Sequence, residues 1–202
     1  MKTKKLLYLG LVMPFGFWAS MAIAGQLHGQ YNPFVDTVSE LGAIGTASES
    51  FTAASMLMCS AMSLFYFAGL WRACKEIGIS VVPILMVPVT TLMFAWTAIF
   101  HLGSSLHGAI GPVPLLLFVG ALLTLLFWRG QQFQTLRKLA GLSLLVMALI
   151  LLRFVPAFQQ HLPGLIQRFF HLGWSIWFIA MSFSFIKILN IKYNYVPYIN
   201  KQ

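Results

Sequence analysis

Acidic residues are scarce in this chain: Asp and Glu together number four among 202 residues. Charged residues of both signs reach only 8%, against about 25% in a typical soluble domain. That shortage excludes an ordinary water-soluble globule. The sequence also lacks C-x-x-C, H-E-x-x-H, a Gly-rich phosphate loop and any convincing internal repeat. Cysteine is nearly absent. Cys59 lies within an apolar run and Cys74 just past its cytoplasmic end on the same expected helix, about 22 Å apart at a rise of 1.5 Å per residue, beyond disulfide reach.

What the chain has in abundance is apolar sequence, 59% of its residues. Six runs, 6–24, 51–71, 77–100, 110–128, 139–155 and 169–189, are each long enough to cross a hydrocarbon core about 30 Å thick. They do not alternate as the strands of a membrane β-barrel would. The expected fold is all-α, a six-transmembrane-helix bundle forming a single transmembrane domain over 1–202. Pro83 and Pro88 are expected to bend the third run, and Pro112 and Pro114 to sit in the first turns of the fourth.

The net charge of +9 is distributed by topology, so nucleic acid is not an expected partner. Lys2, Lys4 and Lys5 precede the first run, and Arg72 and Lys75 follow the second. Arg129, Arg137 and Lys138 separate the fourth from the fifth, and Lys187, Lys192 and Lys201 close the chain. Six crossings put these segments on one side, which the positive-inside rule makes cytoplasmic, with both termini. The 25–50 and 101–109 connections hold no Lys or Arg. A bacterial-type cytoplasmic membrane is the expected location, with membrane lipids as partners. The start also fits a signal peptide ending at Ala22-Ile23-Ala24, although its apolar run of about 19 residues exceeds a usual signal core of 7–15. An uncleaved span is expected, and a mass spectrum of the purified protein checks it.

Half of the acidic residues fall in one short stretch, Asn32-Pro33-Phe34-Val35-Asp36-Thr37-Val38-Ser39-Glu40-Leu41-Gly42. Asn32 suits an N-cap, Pro33 a first helical position and Gly42 a left-handed stop. A short interfacial helix over 33–41 is expected, with Phe34, Val38 and Leu41 on one face and Asp36 and Glu40 on another.

All five histidines, His28, His101, His107, His161 and His171, fall at the outer side of the expected topology. Arg153 lies near the outer edge of the hydrocarbon, about 22 Å along the fifth run from Lys138. Arg168 opens the sixth run, with His171 and Ser175 on its stripe. Ionisable groups at such depth usually face the bundle interior and pair. The outer carboxylates available to them are Asp36, Glu40 and Glu49. One outward-facing polar pocket is therefore expected, lined by Ser39, Glu40, His101, His107, Arg153, Arg168 and His171.

Ser39-Glu40-Leu41-Gly42 after the first run, His107-Gly108 before the fourth, and Gly164-Leu165-Ile166-Gln167-Arg168 followed by Trp174 and Trp177 resemble the membrane family called domain of unknown function 998. The similarity covers nearly the whole chain, with its three motifs in order. It implies a compact six-helix bundle whose family-typical polar residues gather outside, and it assigns no activity. Where the family typically reads Phe-Pro-x-Asp, this chain reads Phe100-His101-Leu102-Gly103, so a carboxylate is missing there.

Several functions fit such a pocket. Arg153, Arg168 and the histidines can bind an anionic lipid headgroup or small anion, with Glu40 setting their orientation. Alternatively, a membrane-embedded hydrolase or transferase would act on a lipid-linked substrate, with His107 or His101 as general base, Arg168 stabilising an oxyanion, and Ser39 or Ser104 as nucleophile. Charge pairs that only clamp helix ends are a third reading. His101 and His107, six apart, do not share a helical face, and neither a metal nor a haem cofactor is expected. Coupled transport has little support, because the cytoplasmic half of each run lacks Asp, Glu, Lys, Arg and His up to its boundary. Ser55, Cys59 and Ser63 suit close helix packing. Tyr193, Tyr195 and Tyr198 suit an inner interfacial belt.

Overall fold

A computed structural model describes residues 3–199. Lys2 and Lys201, and the side chains of Tyr195 and Tyr198, lie outside what is described. Helix accounts for 82% of the chain, and among the described residues β-pairing is limited to one parallel bridge between Ala43 and Leu102. Six stretches are long and apolar enough to cross a membrane: Thr3–His28, Glu49–Ile77, Val82–Ile99, His107–Phe127, Gln131–Phe154 and Pro163–Tyr193. The protein is thus a multi-pass helical membrane protein.

The third and fourth spans are irregular where Pro83, Pro88, Pro112 and Pro114 fall, each of which lacks an N–H to donate, whereas Pro14 is accommodated within the α-helix Leu9–His28. The third span opens as a 3-10 turn, Val82–Met86, and becomes α-helical from Pro88 to Ile99. The fourth passes through 3-10 turns at His107–Ile110 and Val113–Leu115 before its α-helix, Leu116–Phe127. The fifth is α-helical over Gln134–Ala148 and ends as a 3-10 segment, Leu149–Phe154. A short helix, Pro156–His161, leads into the sixth.

The sixth span packs against the first and fifth, the first against the second, and the second against the third. The fourth closes the ring through the fifth and the Val82–Met86 turn. Where helices meet, the sequence supplies small residues. A Cβ built on Gly10 would lie 2.2 Å from Ser182 Oγ, and one on Gly173 would lie 2.3 Å from Met147 Cγ, so only glycine permits these approaches. Hydroxyls fasten the same seams. Tyr66 Oη donates to the carbonyl of Phe178 at 2.9 Å and accepts from Ser182 Oγ at 3.0 Å. Ser143 Oγ donates to the carbonyl of Gly173 at 2.7 Å. Ser55, Cys59 and Ser63 are buried, and Ser63 hydrogen-bonds Thr90 of the third span.

The end of the bundle that holds Thr3, Glu76 and Tyr193 is tied by one carboxylate. Glu76 accepts from Thr3 Oγ1 at 2.5 Å and from Tyr193 Oη, and its backbone carbonyl accepts from Lys192 Nζ. Lys4 Nζ stands 4.8 Å from the centroid of the Tyr193 ring. Three spans thus share one acceptor.

The opposite end is covered by the 29–48 connection, which does not form the expected helix over 33–41. Residues 33–36 make turns, and a 3-10 helix runs over Val38–Gly42. Local side chains explain the break. Asn32 Oδ1 accepts the N–H of Phe34 at 3.1 Å, and Asp36 Oδ2 accepts that of Asn32 at 2.6 Å. Such bonds compete with helix formation. Thr37 and Glu40 then form a capping box that starts a separate turn. Val38 and Leu41 are buried, whereas Phe34 is 56% exposed, so the three do not share a face.

Candidate functional site

Beneath the Val38–Gly42 turn lies a cavity of about 350 Å³ to which every span contributes. That volume is within the range of small-molecule sites, roughly 300–1,000 Å³. Its apolar wall is formed by Phe17, Met56, Met93, Phe94 and Phe170, and its polar wall by Ser39, Thr97, His107, Arg153, Gln167 and His171. Of the seven side chains expected to converge, Ser39, His107, Arg153 and His171 line this cavity. Glu40, His101 and Arg168 do not.

Those three hold loops instead. Glu40 Oε2 accepts the N–H of Thr37 at 2.7 Å. His101 Nδ1 meets Glu49 Oε1 at 2.6 Å, and its Nε2 donates to the carbonyl of Ala98 at 2.8 Å. Both ring nitrogens are thereby engaged, and the partner is Glu49 rather than Glu40. Glu49 Oε2 also accepts the N–H of Gly45 at 2.7 Å. The 101–106 connection is joined to this loop by the N–H of Ile44, which donates to the carbonyl of Leu102 at 3.0 Å.

Arg168 is spent on backbone carbonyls. Its Nη1 donates to Pro33 at 2.5 Å and to Asp36 and Gly164 at 3.0 Å, and its Nη2 donates to Tyr31 Oη. Its guanidinium carbon stands 5.3 Å from the centroid of the Tyr31 ring. The N–H groups of Gly164 and Leu165 donate to the carbonyls of Val35 and Phe34 at 3.1 and 3.0 Å. A Cβ at Gly164 would lie 2.3 Å from the carbonyl oxygen of Asp36, so glycine lets the loop sit directly on the start of the sixth span. Burial pushes the Tyr31 hydroxyl above its ordinary range, with Arg168 beside it acting in the opposite sense. The hydroxyl stays protonated and donates to the carbonyl of Thr37 at 3.0 Å.

The cavity-lining groups are held differently. His107 Nδ1 donates to the carbonyl of Phe100 at 2.7 Å, leaving Nε2 as its unanchored nitrogen. His171 is 7% exposed. Its Nδ1 accepts from Trp174 Nε1 at 3.1 Å, which places the ring proton on Nε2. That Nε2 is buried and has no hydrogen-bond partner. The ring stands 5.0 Å, centroid to centroid, from Phe17. Arg153 extends from the 3-10 end of the fifth span and has no hydrogen-bond or ion-pair partner among the described residues. Gln167 lines the cavity while its Oε1 accepts the N–H of Val38 at 2.6 Å. Sequence reasoning quoted Gln167 within a motif without giving it a role; its place one turn before His171 was the available signal.

Among the described residues, no carboxylate lines the cavity. Asp36, Glu40 and Glu49 all turn back on loop N–H groups, so the cavity presents a cation, an N–H donor and an imidazole without a negative counterpart.

The spans and the end cavity define a class, a helical membrane protein with a recess under one loop-covered end. Residues 11–184 match the family described as Protein of unknown function (DUF998), and the chain belongs to that family. No curated protein and no solved structure matches it.

Proposed function

We propose that this cavity binds an anionic lipid headgroup or a small anion, and that it opens outward from a bacterial cytoplasmic membrane. One observation carries the reading: Arg153, exposed at the cavity wall, has no partner among the described residues, and none of the described residues lining the cavity is a carboxylate. An ionisable group at the membrane edge is costly unless something compensates it. A guanidinium offers phosphate or carboxylate two parallel hydrogen bonds, and it is the side chain best matched to that geometry. The orientation is supported by the basic segments, all of which the six crossings put at the end opposite the cavity.

Native mass spectrometry of the purified protein with phosphatidylglycerol, phosphatidylcholine and inorganic phosphate tests this. Phosphatidylglycerol is expected to bind more tightly than phosphatidylcholine, and Arg153→Gln to weaken it about tenfold or more, the worth of a charge-assisted hydrogen bond, with the thermal midpoint unchanged. Competition by phosphate alone identifies a small-anion site; its absence identifies a headgroup site. Equal binding to wild type and Arg153→Gln rejects the reading.

A second reading, hydrolysis or transfer on a lipid-linked substrate, is favoured by His107. A base needs one nitrogen anchored and the other directed at the reactant, and the Phe100 carbonyl supplies that anchor. Ser39 also lines the cavity. Turnover of a copurified lipid that is lost in His107→Gln supports this reading, and turnover that persists there excludes it.

A further inference from the structure

We propose that the occupant of the cavity is an acyl lipid, whose ester or amide carbonyl accepts a hydrogen bond from His171 Nε2 while its anionic headgroup meets Arg153; this rests on the anion-binding reading above. A headgroup site explains Arg153 but leaves His171 unaccounted for. Its Nδ1 is committed to Trp174, so its one remaining polar atom is an N–H donor. That donor is buried without a partner among the described residues, a condition that destabilises the empty site. No acceptor among the described residues meets it, and the aromatic residues around it, Phe17, Phe170 and Trp174, carry no oxygen side-chain acceptor. An incoming acceptor can.

Position sets the kind of acceptor. His171 lies one helical turn, about 6 Å, further into the sixth span than Gln167, whose side chain reaches the loop cover at Val38. A free anion gathered by Arg153 at the end of the fifth span has no reason to occupy both places. A neutral carbonyl joined to the anion by a short linker does, because it carries an acceptor without carrying charge into an aromatic wall. Beyond it, Met56, Met93 and Phe94 offer an apolar surface that suits the first part of a chain. A prenyl phosphate has the anion and the apolar chain but no carbonyl, so it leaves the His171 donor as it is.

The decisive comparison uses two lipids of equal charge and chain length, 1-acyl lysophosphatidic acid and its 1-O-alkyl ether, titrated against the purified full-length protein. The ester is expected to bind about five- to tenfold more tightly, the worth of one hydrogen bond to an otherwise unpaired donor. His171→Phe is expected to bring the ester down to the ether's affinity while leaving the ether unchanged. Nitrogen-15 spectra of histidine-labelled wild-type protein need no variant: the ester is expected to shift one protonated Nε2 resonance that the ether leaves in place. Equal wild-type affinities, or an unmoved resonance, overturn the carbonyl contact and leave the anion site standing. A preference that survives His171→Phe overturns the assignment to His171. Failure of both lipids to bind, or equal binding to Arg153→Gln, removes the anion reading itself and this inference with it.

Discussion

The two ends of the bundle are closed by different means. In the half of the bundle toward Glu76, side chains within the spans meet directly: Tyr66 and Ser182 are buried near mid-span, and Trp128, Phe133 and Phe185 closer to the end. Trp128 stacks on Phe133 with centroids 5.8 Å apart and meets Phe185 edge-on at 5.1 Å. At the other end every span borders a cavity, and closure falls to the 29–48 connection, held by hydrogen bonds to backbone carbonyls. One end is sealed by packing, the other by a fastened cover. Packing tolerates no added volume, whereas a fastened cover can leave space beneath it.

Three substitutions sharpen that contrast, taken from the largest expected effect to the smallest. Gly10→Leu drives a side chain into Ser182 and Tyr66 and is expected to cost about 3 kcal/mol or more, read as loss of folded protein in detergent chromatography. Arg168→Ala removes the donor shared by the Pro33, Asp36 and Gly164 carbonyls and is expected to cost about 2 kcal/mol. Its mark is local: limited proteolysis within 29–48 accelerates while the spans remain protected. Gly108→Ala tests the opposite limit. A Cβ there meets nothing within 4 Å, and the thermal midpoint is expected to stay within about 1 °C, consistent with a shift below about 0.5 kcal/mol. Comparable losses from Gly108→Ala and Gly10→Leu would erase the distinction between the ends.

The spans were legible because hydrophobic length is a property of contiguous residues, and so was the place of Pro112 and Pro114 near the start of the fourth, although not the 3-10 turns that the third and fourth spans make there. The gathering of Ser39, His107, Arg153 and His171 around one space was legible too, since all four fall at the same side of a six-span topology. Which carboxylate served which cation was not. Glu40 and Glu49 lie at similar heights, and the choice between them depends on loop turns only a few residues long. Thr37-x-x-Glu40 carries the capping-box pattern, a signal that Glu40 was already committed, yet Asn32 and Pro33 suggested a different helix start. Arg168 was equally opaque, because its partners are carbonyls, which every residue has and no sequence marks. Glu76 received no role from the sequence, and it ties the first, second and sixth spans together.

The seating of the first long loop on Gly164 and Arg168 has a consequence for biosynthesis. Chains emerge amino terminus first, so residues 31–36 leave the ribosome long before the residues that fasten them. The loop must therefore wait through insertion of the four spans that follow it, and be fastened only when the sixth arrives. The last stage of assembly is the docking of an early loop onto a late helix, and a chain halted before Pro163 would lack both the fastening of the cover and the Gln167, Phe170 and His171 side of the recess.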